Sequence, residues 1–152
     1  MTRYLSLEDL LILTEDLGVG PVRDVGLLDS AVHRPQATIL GQEAYEGLDL
    51  KAAALLESLV RNHALVDGNR RLGWLALVVF CGLNGEQVDV PDEPAYQLVI
   101  GVADGSMNYL AVAEMLVTWR RRAWVIAMTR EPTNPADPRT GVSEPRPEAR
   151  DS

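Results

Sequence analysis

The sequence predicts an all-α domain, and three observations lead to that prediction. Apolar residues recur every three or four positions in several segments, as on one face of a helix. Capping residues and Gly or Pro stops separate these segments. The longest apolar run, residues 72–83, suits a helix that is buried on every side. We therefore expect a helical bundle around one buried central helix, without an internal repeat.

The first two helices have clear local signals. Ser6 and Asp9 form a capping box, and leucines follow at helical intervals until Gly18. A second helix from about Leu27 to His33 stops at Pro35, because the residue before a proline disfavours the helical conformation. Both ends of the first helix are thus predicted by the sequence alone.

Next come an irregular stretch and a third helix. Residues 36–47 have mixed polarity and no helical period, which predicts a loop or a short hairpin. Asp49 can cap the third helix, which we expect to run to about Val66. Its apolar stripe consists of Leu55, Leu56, Leu59 and His63.

Three further helices complete the predicted bundle. The fourth begins at Asn69 or the glycine before it and ends near Asn84. A fifth fits Asp92 to Ala103, and a sixth fits Asn108 to about Met128. The arginines at 120–122 are interpreted as a solvated cap of that last helix. Residues 1–130 would form the domain. Residues 131–152 hold five of the nine prolines, and this composition predicts a disordered tail.

Composition narrows the class of protein. The 152 residues suit one domain with one core, and the net charge of −8 offers no basic field for nucleic acid. Cys81 is the only cysteine, which excludes an internal disulfide, and it is interpreted as a small buried apolar residue. The acidic N-terminal segment is unlike a secretory signal, and no apolar run is long enough to span a membrane. We expect a cytoplasmic protein.

Residues 63–71, between the third and fourth helices, carry the strongest functional signal. Taken one at a time they have ordinary explanations: His63 as a core residue, Asp67 as a helix cap, Gly68 and Asn69 as turn residues. Arg70 and Arg71 do not fit that account. They lie in the first turn of a helix, where the dipole is positive and basic side chains are unfavourable. A bound phosphate would explain them, because helix N-termini and guanidinium groups both bind anions.

Each side chain of this stretch then has a role with ATP and Mg²⁺. Asp67 would hold the metal ion that bridges the phosphates. Asn69 would donate to a phosphate oxygen, and Gly68 would let the main chain approach closely. Arg70 and Arg71 would bind phosphates, and His63 would act as general base for an attacking hydroxyl.

The stretch resembles the signature of the Fic/Doc family, matched at His63, Asp67, Gly68, Asn69 and Arg71. Residues 26–31 with Arg34-Pro35, and the Ala- and Leu-rich helix before His63, are similar to the death-on-curing (Doc) branch. The resemblance covers about residues 5–120 and implies the helical Fic/Doc fold with a small flap upstream of the motif. It departs from the pattern at Leu65, where the family usually has Phe.

The residue after Asn69 distinguishes the two chemistries that the resemblance implies. Members that transfer AMP usually have Gly there and another Arg where this chain has Trp74. Here Arg70 takes the place that Lys takes in Doc, which implies a reversed nucleotide and transfer of the γ-phosphate. Doc-type proteins are toxins of toxin–antitoxin pairs that phosphorylate a threonine of elongation factor Tu. Inhibition by a separate antitoxin is expected, since the chain has no inhibitory-helix motif.

The resemblance also suggests Arg61 as a further phosphate ligand, and residues 36–47, with Tyr45, as the flap that docks an extended target segment. Three hypotheses remain open at this stage. The first is a protein kinase toxin, the second a nucleotidyltransferase that moves AMP to a target hydroxyl, and the third a non-catalytic binding protein with the same fold. The full set of His63, Asp67, Asn69 and Arg71 favours the two enzymes.

Overall fold

A computed structural model describes residues 1–122, and it confirms the predicted mostly helical fold. This part of the chain contains six helices: α1 (Leu7–Leu17), α2 (Val25–His33), α3 (Leu48–Arg61), α4 (Asn69–Leu83), α5 (Asp92–Asp104) and α6 (Tyr109–Trp119). Two antiparallel pairs of short strands accompany them: β1 (Thr38–Ile39) with β2 (Gln42–Glu43), and β3 (Glu86–Val88) with β4 (Arg120–Arg122). The predicted tail lies outside the described residues.

Local sequence signals are confirmed in the first part of the chain. Ser6 and Asp9 form the capping box of α1, and Gly18 ends that helix in the left-handed conformation. The second helix ends at His33, and a single 3-10 turn that contains Pro35 follows it. The irregular stretch after this turn contains the short β1–β2 hairpin.

The central helix is α3, and the expectation that the fourth helix would occupy this place was wrong. Helices α2, α4, α5 and α6 all pack against α3, and nearly every residue from Lys51 to Val60 is buried. Helix α4 buries one face, while Trp74 and Val78 on another face are only partly buried. This arrangement was not evident from the sequence, because α3 carries polar residues such as Lys51 and Ser58. These residues are buried and form hydrogen bonds inside the domain.

The third helix is shorter than predicted and starts without a side-chain cap. It ends at Arg61 rather than near Val66, so His63 lies in the loop after the helix. Gly47 occupies the N-cap position, and Asp49, the predicted cap, pairs instead with Arg120 at 2.6 Å. The carboxylate is thus used to hold a distant part of the chain.

The last described elements also differ from the prediction. Helix α6 ends at Trp119, and Arg120–Arg122 form β4 against β3 instead of continuing the helix toward Met128. Arg120 is bound by Asp49 and by Glu86, the latter at 2.8 Å, so it is no solvated cap. Met128 itself lies outside the described residues.

The remaining structural expectations concern the core and the membrane. Cys81 is completely buried, as expected, and burial raises the pKa of its thiol to about 12. A thiol in this state is no nucleophile at neutral pH. None of the helices within residues 1–122 combines the length and the apolar character needed to cross a bilayer.

Candidate active site

The loop between α3 and α4 presents His63 at the surface. The φ angle of His63 is 53°, and its side chain is exposed, which excludes the interpretation as a core residue. The next two residues, Ala64 and Leu65, are both 1% exposed and anchor the loop in the core. The left-handed conformation therefore reverses the chain direction and places the imidazole outside while its neighbours stay inside.

Asn69 fixes this loop through its side-chain amide. Its Nδ2 donates to the Leu65 carbonyl and its Oδ1 accepts from the Leu65 N–H, both at 2.9 Å. The amide was expected to donate to a phosphate oxygen. In the structure both of its polar atoms serve the loop, and only the second amide hydrogen is left for a ligand.

Gly68 is required by packing as well as by conformation. Its φ is 94°, and a Cβ atom built there would lie 2.4 Å from the Cβ of Val19. The close main-chain approach predicted from the sequence is thus an approach to Val19, in the loop between α1 and α2. Gly68 also holds the N-cap position of α4 and gives no side-chain cap, so Asp67 is no helix cap.

The start of α4 combines an uncapped helix end with two exposed arginines. Its first turn contains no acidic residue, and Arg70 and Arg71 both line one cavity with His63 and Asp67. The Asp67 side chain is 84% exposed and lies 3.9 Å from Arg71, a loose contact that leaves its oxygens available. Positive charge therefore accumulates where the helix dipole is already positive, as an anion site requires.

Arg61 is not brought to this cavity. Its guanidinium donates to the carbonyls of Val102 and Met107 at 2.9 and 2.7 Å and lies 3.5 Å from Glu57. The predicted phosphate contact is not supported, because the side chain joins α3 to the last turn of α5 and to the loop that follows it. Spacing from the histidine alone did not reveal that direction.

The cavity has a volume of about 990 Å³, near the upper end of the range for ligand pockets. Beyond the polar residues of the loop it continues between α4 and α5, where Trp74 and Val78 face Tyr96 and Ile100. Asp92, at the start of α5, also lines it. No function was predicted from the sequence for these residues of α5. The four-residue spacing of Asp92, Tyr96 and Ile100, which puts them on one helix face, was the signal that could have found them.

The β1–β2 hairpin occupies the place of the flap in the sequence, and side chains from the core secure its base. Leu40 and Gly41 at its tip have φ angles of 52° and 79°, the pattern of a two-residue hairpin turn. The Tyr45 hydroxyl accepts from Nε of Arg34 at 2.8 Å, and the Tyr45 carbonyl accepts from Lys51. Tyr45 is therefore an anchor of the flap rather than a free surface residue.

The residues present fit a metal ion that arrives with a nucleotide. Among residues 1–122 no group of three or more His, Cys, Asp or Glu side chains could hold a metal by itself. Asp67 offers one exposed carboxylate in the same cavity as the two arginines. One carboxylate together with phosphate oxygens and water is the usual environment of Mg²⁺.

The model of the Fic/DOC family matches residues 3–81, slightly more than half of the chain. The chain belongs to the Fic/Doc family. The match ends inside α4 and so includes the whole motif from His63 to Arg71, while Asp92 and Tyr96 lie beyond it. Proteins of this family are transferases that modify other proteins.

A relative agrees with this assignment. This Fic/Doc chain is 56% identical over 90 residues to the "Toxin Doc" of Mycolicibacterium smegmatis. The aligned segment covers 58% of this chain and 69% of that protein. The resemblance to Doc, inferred from the motif and from the residues around Arg34-Pro35, is confirmed by this relative.

Proposed function

We propose that this Fic/Doc protein is the toxin of a toxin–antitoxin pair and a protein kinase that uses ATP and Mg²⁺. It would transfer the γ-phosphate to a Thr or Ser hydroxyl of a translation factor resembling elongation factor Tu, in the cytoplasm. One observation carries the proposal: exposed Arg70 and Arg71 lie at the uncapped start of α4, in the same cavity as exposed His63. The relative's name, Toxin Doc, supports the toxin role.

The phosphates of ATP fit the start of α4. The free N–H groups of the first turn and the guanidinium groups of Arg70 and Arg71 provide donors and positive charge. Asp67 would hold Mg²⁺, which neutralises phosphate charge when it is bound. The part of the cavity between α4 and α5 leaves room for the rest of the nucleotide.

His63 would remove the proton of the acceptor hydroxyl. The hydroxyl oxygen attacks the γ-phosphorus and its proton goes to the imidazole, while the bond from the γ-phosphorus to the bridging oxygen breaks and ADP leaves. An exposed imidazole on a loop with a fixed main chain suits this task, because a protein substrate can reach it.

The size of Arg70 supports phosphate transfer over AMP transfer. A long charged side chain stands where AMP-transferring relatives have a glycine, so the space for an α-phosphate beside His63 is reduced. We therefore expect the γ-phosphate to lie next to the imidazole. AMP transfer is the second candidate, since the other residues of the motif suit both reactions.

Two partners belong to this proposal. An extended segment of the target would pair with the edge of the β1–β2 hairpin, whose strands are exposed. An antitoxin would fold a disordered segment into a groove between helices and keep the toxin inactive.

The decisive experiment uses ATP with two different labels. Purified protein is incubated with Mg²⁺ and a bacterial extract, once with γ-labelled and once with α-labelled ATP, and the labelled band is identified by mass analysis. Label from the γ-position alone on a translation factor is expected. Label from the α-position would establish AMP transfer, and no label from either, with no growth arrest on expression, would leave the non-catalytic alternative.

A variant tests the orientation of the nucleotide. Arg70→Gly restores the glycine of AMP-transferring relatives and should allow attack at the α-phosphate as well as at the γ-phosphate. The ratio of the two labels on the target measures this choice. Arg71→Gly is the matched control, because it removes one guanidinium without opening the same position; a ratio unchanged in Arg70→Gly contradicts the orientation.

A further inference from the structure

The loop that carries His63 is bound along its length by a second segment of the chain. Residues 20–24, which connect α1 to α2, run antiparallel to residues 64–67, with a β-bridge between Val22 and Leu65. The Ala64 carbonyl accepts from the N–H of Arg23 at 2.8 Å, and the Val66 N–H donates to the Pro21 carbonyl at 3.0 Å. The loop is therefore paired with residues 20–24 in a defined register.

The two edges of this loop have different partners. On one edge the main chain of residues 20–24 binds Ala64, Val66 and Asp67, and on the other the amide of Asn69 binds both polar groups of Leu65. Each residue from Ala64 to Asp67 thus has a hydrogen bond that fixes it. The main-chain bonds to residues 20–24 stop at Ala64, one residue short of His63.

The side chain of Arg23 extends the binding to His63. Its Nη2 donates to the His63 carbonyl, across forty positions of the sequence. Its main-chain N–H at the same time binds Ala64. Arg23 therefore binds two consecutive carbonyls, that of His63 through its side chain and that of Ala64 through its main chain.

The conformation of His63 explains why the hydrogen bond from Arg23 matters. His63 and Leu40 are the non-glycine residues with positive φ within residues 1–122, and Leu40 lies at an exposed hairpin tip. A left-handed histidine is uncommon and persists when its surroundings hold it. Without the bond to its carbonyl, the exposed His63 could relax to the ordinary conformation and swing the imidazole away.

We propose that Arg23 is a positioning residue: its guanidinium fixes the His63 carbonyl and thereby the place of the imidazole. The inference rests on the proposed phosphotransfer, in which His63 takes the proton. Arg23 would act on the rate of the transfer step and not on the binding of ATP, because the phosphates lie at the start of α4. It also explains why an exposed residue outside the motif is an arginine, since a long side chain with a forked end can reach this carbonyl.

The kinetic test compares Arg23→Ala with Arg3→Ala, which removes another exposed arginine, one whose main chain is bound to Asn84 at the opposite end of α4. Arg23→Ala should lower kcat by roughly 10–100-fold and leave KM for ATP within about twofold, as expected of a misplaced catalytic group. Arg23→Lys should keep part of the rate, and free guanidinium should restore part of the rate of Arg23→Ala. A raised KM with unchanged kcat would mean that Arg23 binds the nucleotide directly, and that result overturns the proposal.

A second measurement decides the matter without ATP. The ¹³Cα shift of His63 in labelled protein reports its backbone conformation. It should be that of a left-handed residue in the parent and in Arg3→Ala, and should move toward ordinary values in Arg23→Ala, while circular dichroism shows an intact fold. An unmoved signal would refute the positioning role whatever the activity. A parent protein that transfers nothing would refute the proposed function and leave this measurement to decide on Arg23.

Discussion

Arg34 and Arg70 have the same side chain but differ in burial and in the partners of their guanidinium groups. The Arg34 guanidinium donates to Glu57 at 3.0 Å and to Ser58 at 3.1 Å, and it lies about 5 Å from the ring centres of Tyr45 and Tyr109. Burial alone would lower its pKa, but the hydrogen bonds to Tyr45 and Glu57 outweigh this effect and raise it. Arg70 is exposed and has no such partner within residues 1–122.

The difference distinguishes a structural arginine from arginines that we propose to bind phosphate. The Arg34 cluster joins the 3-10 turn, the base of the flap and α3, and Glu57 within it also accepts from the main chain of Tyr109 at 2.6 Å. At the start of α4, charge is placed against the helix dipole, and within residues 1–122 its one ion pair is the loose contact from Arg71 to Asp67. Removing the first kind should lower stability, and removing the second kind should lower ligand binding.

The largest effect should come from His63, the proposed general base, which lines the same cavity as Arg70 and Arg71. His63→Ala should lower the transfer rate by about 10²–10⁴-fold while the affinity for ATP and the melting temperature stay near those of the parent. His33→Ala is the matched control, since His33 is the other histidine and is exposed on α2. A His63→Ala protein as active as the parent would remove the general base from the proposal.

Arg34→Ala tests the structural side of the comparison. It should lower the free energy of unfolding by about 2–3 kcal/mol, because Glu57 would lose a partner inside the domain. Arg121→Ala removes an exposed pair with Asp89 at 3.8 Å and should change stability by less than about 0.5 kcal/mol. Urea unfolding of both variants measures the difference, and equal losses would erase the distinction between the two kinds of arginine.

Gly68→Ala tests whether a position inside the candidate site is needed for the stability of the domain. The new methyl group would overlap with Val19, and φ would stay unfavourable, so we expect a loss of about 1–3 kcal/mol in unfolding free energy. Val19→Ala with Gly68→Ala should recover the part due to overlap when compared with Val19→Ala alone. A loss that the second change leaves untouched would assign the whole effect to the backbone.

The smallest expected effect has the opposite sign. Arg70→Ala should raise the free energy of unfolding by about 0.3–1 kcal/mol, because a positive charge leaves a positive helix end. The same variant should bind ATP more weakly, which calorimetric titration measures. A variant that lost stability would show that Arg70 has a structural partner and belongs with Arg34.

The sequence predicted best what local contacts determine. The capping box of Ser6 and Asp9 and the stop at Gly18 depend on residues three or four positions apart, and both were confirmed. The motif residues were expected to lie together, and the loop does place His63 in one cavity with the start of α4. Its arginines were visible because their charge is wrong for a helix start.

The errors share one physical origin, which is binding between distant segments. The third helix was extended through His63 because the three-to-four spacing continues there, while the backbone is turned by its bonds to residues 20–24. Helix α6 was extended through the arginines, although Arg120 is held by Asp49, 71 positions away. Arg61 also contacts a distant segment, since its guanidinium donates to the Val102 carbonyl, while its predicted contact with phosphate, like that of Asn69, stays a prediction.

Lys51 is the single lysine of the sequence, and it lies beneath the flap. Its side chain is 2% exposed, with its amine between the Tyr45 carbonyl and a carboxylate oxygen of Glu43 at 3.3 Å. An amine-directed reagent can therefore reach this side chain only when the hairpin lifts. Acylation at Lys51, separated from that of the Met1 α-amino group by peptide mapping, would report flap opening, and its rate with and without a target segment would show whether docking moves the hairpin.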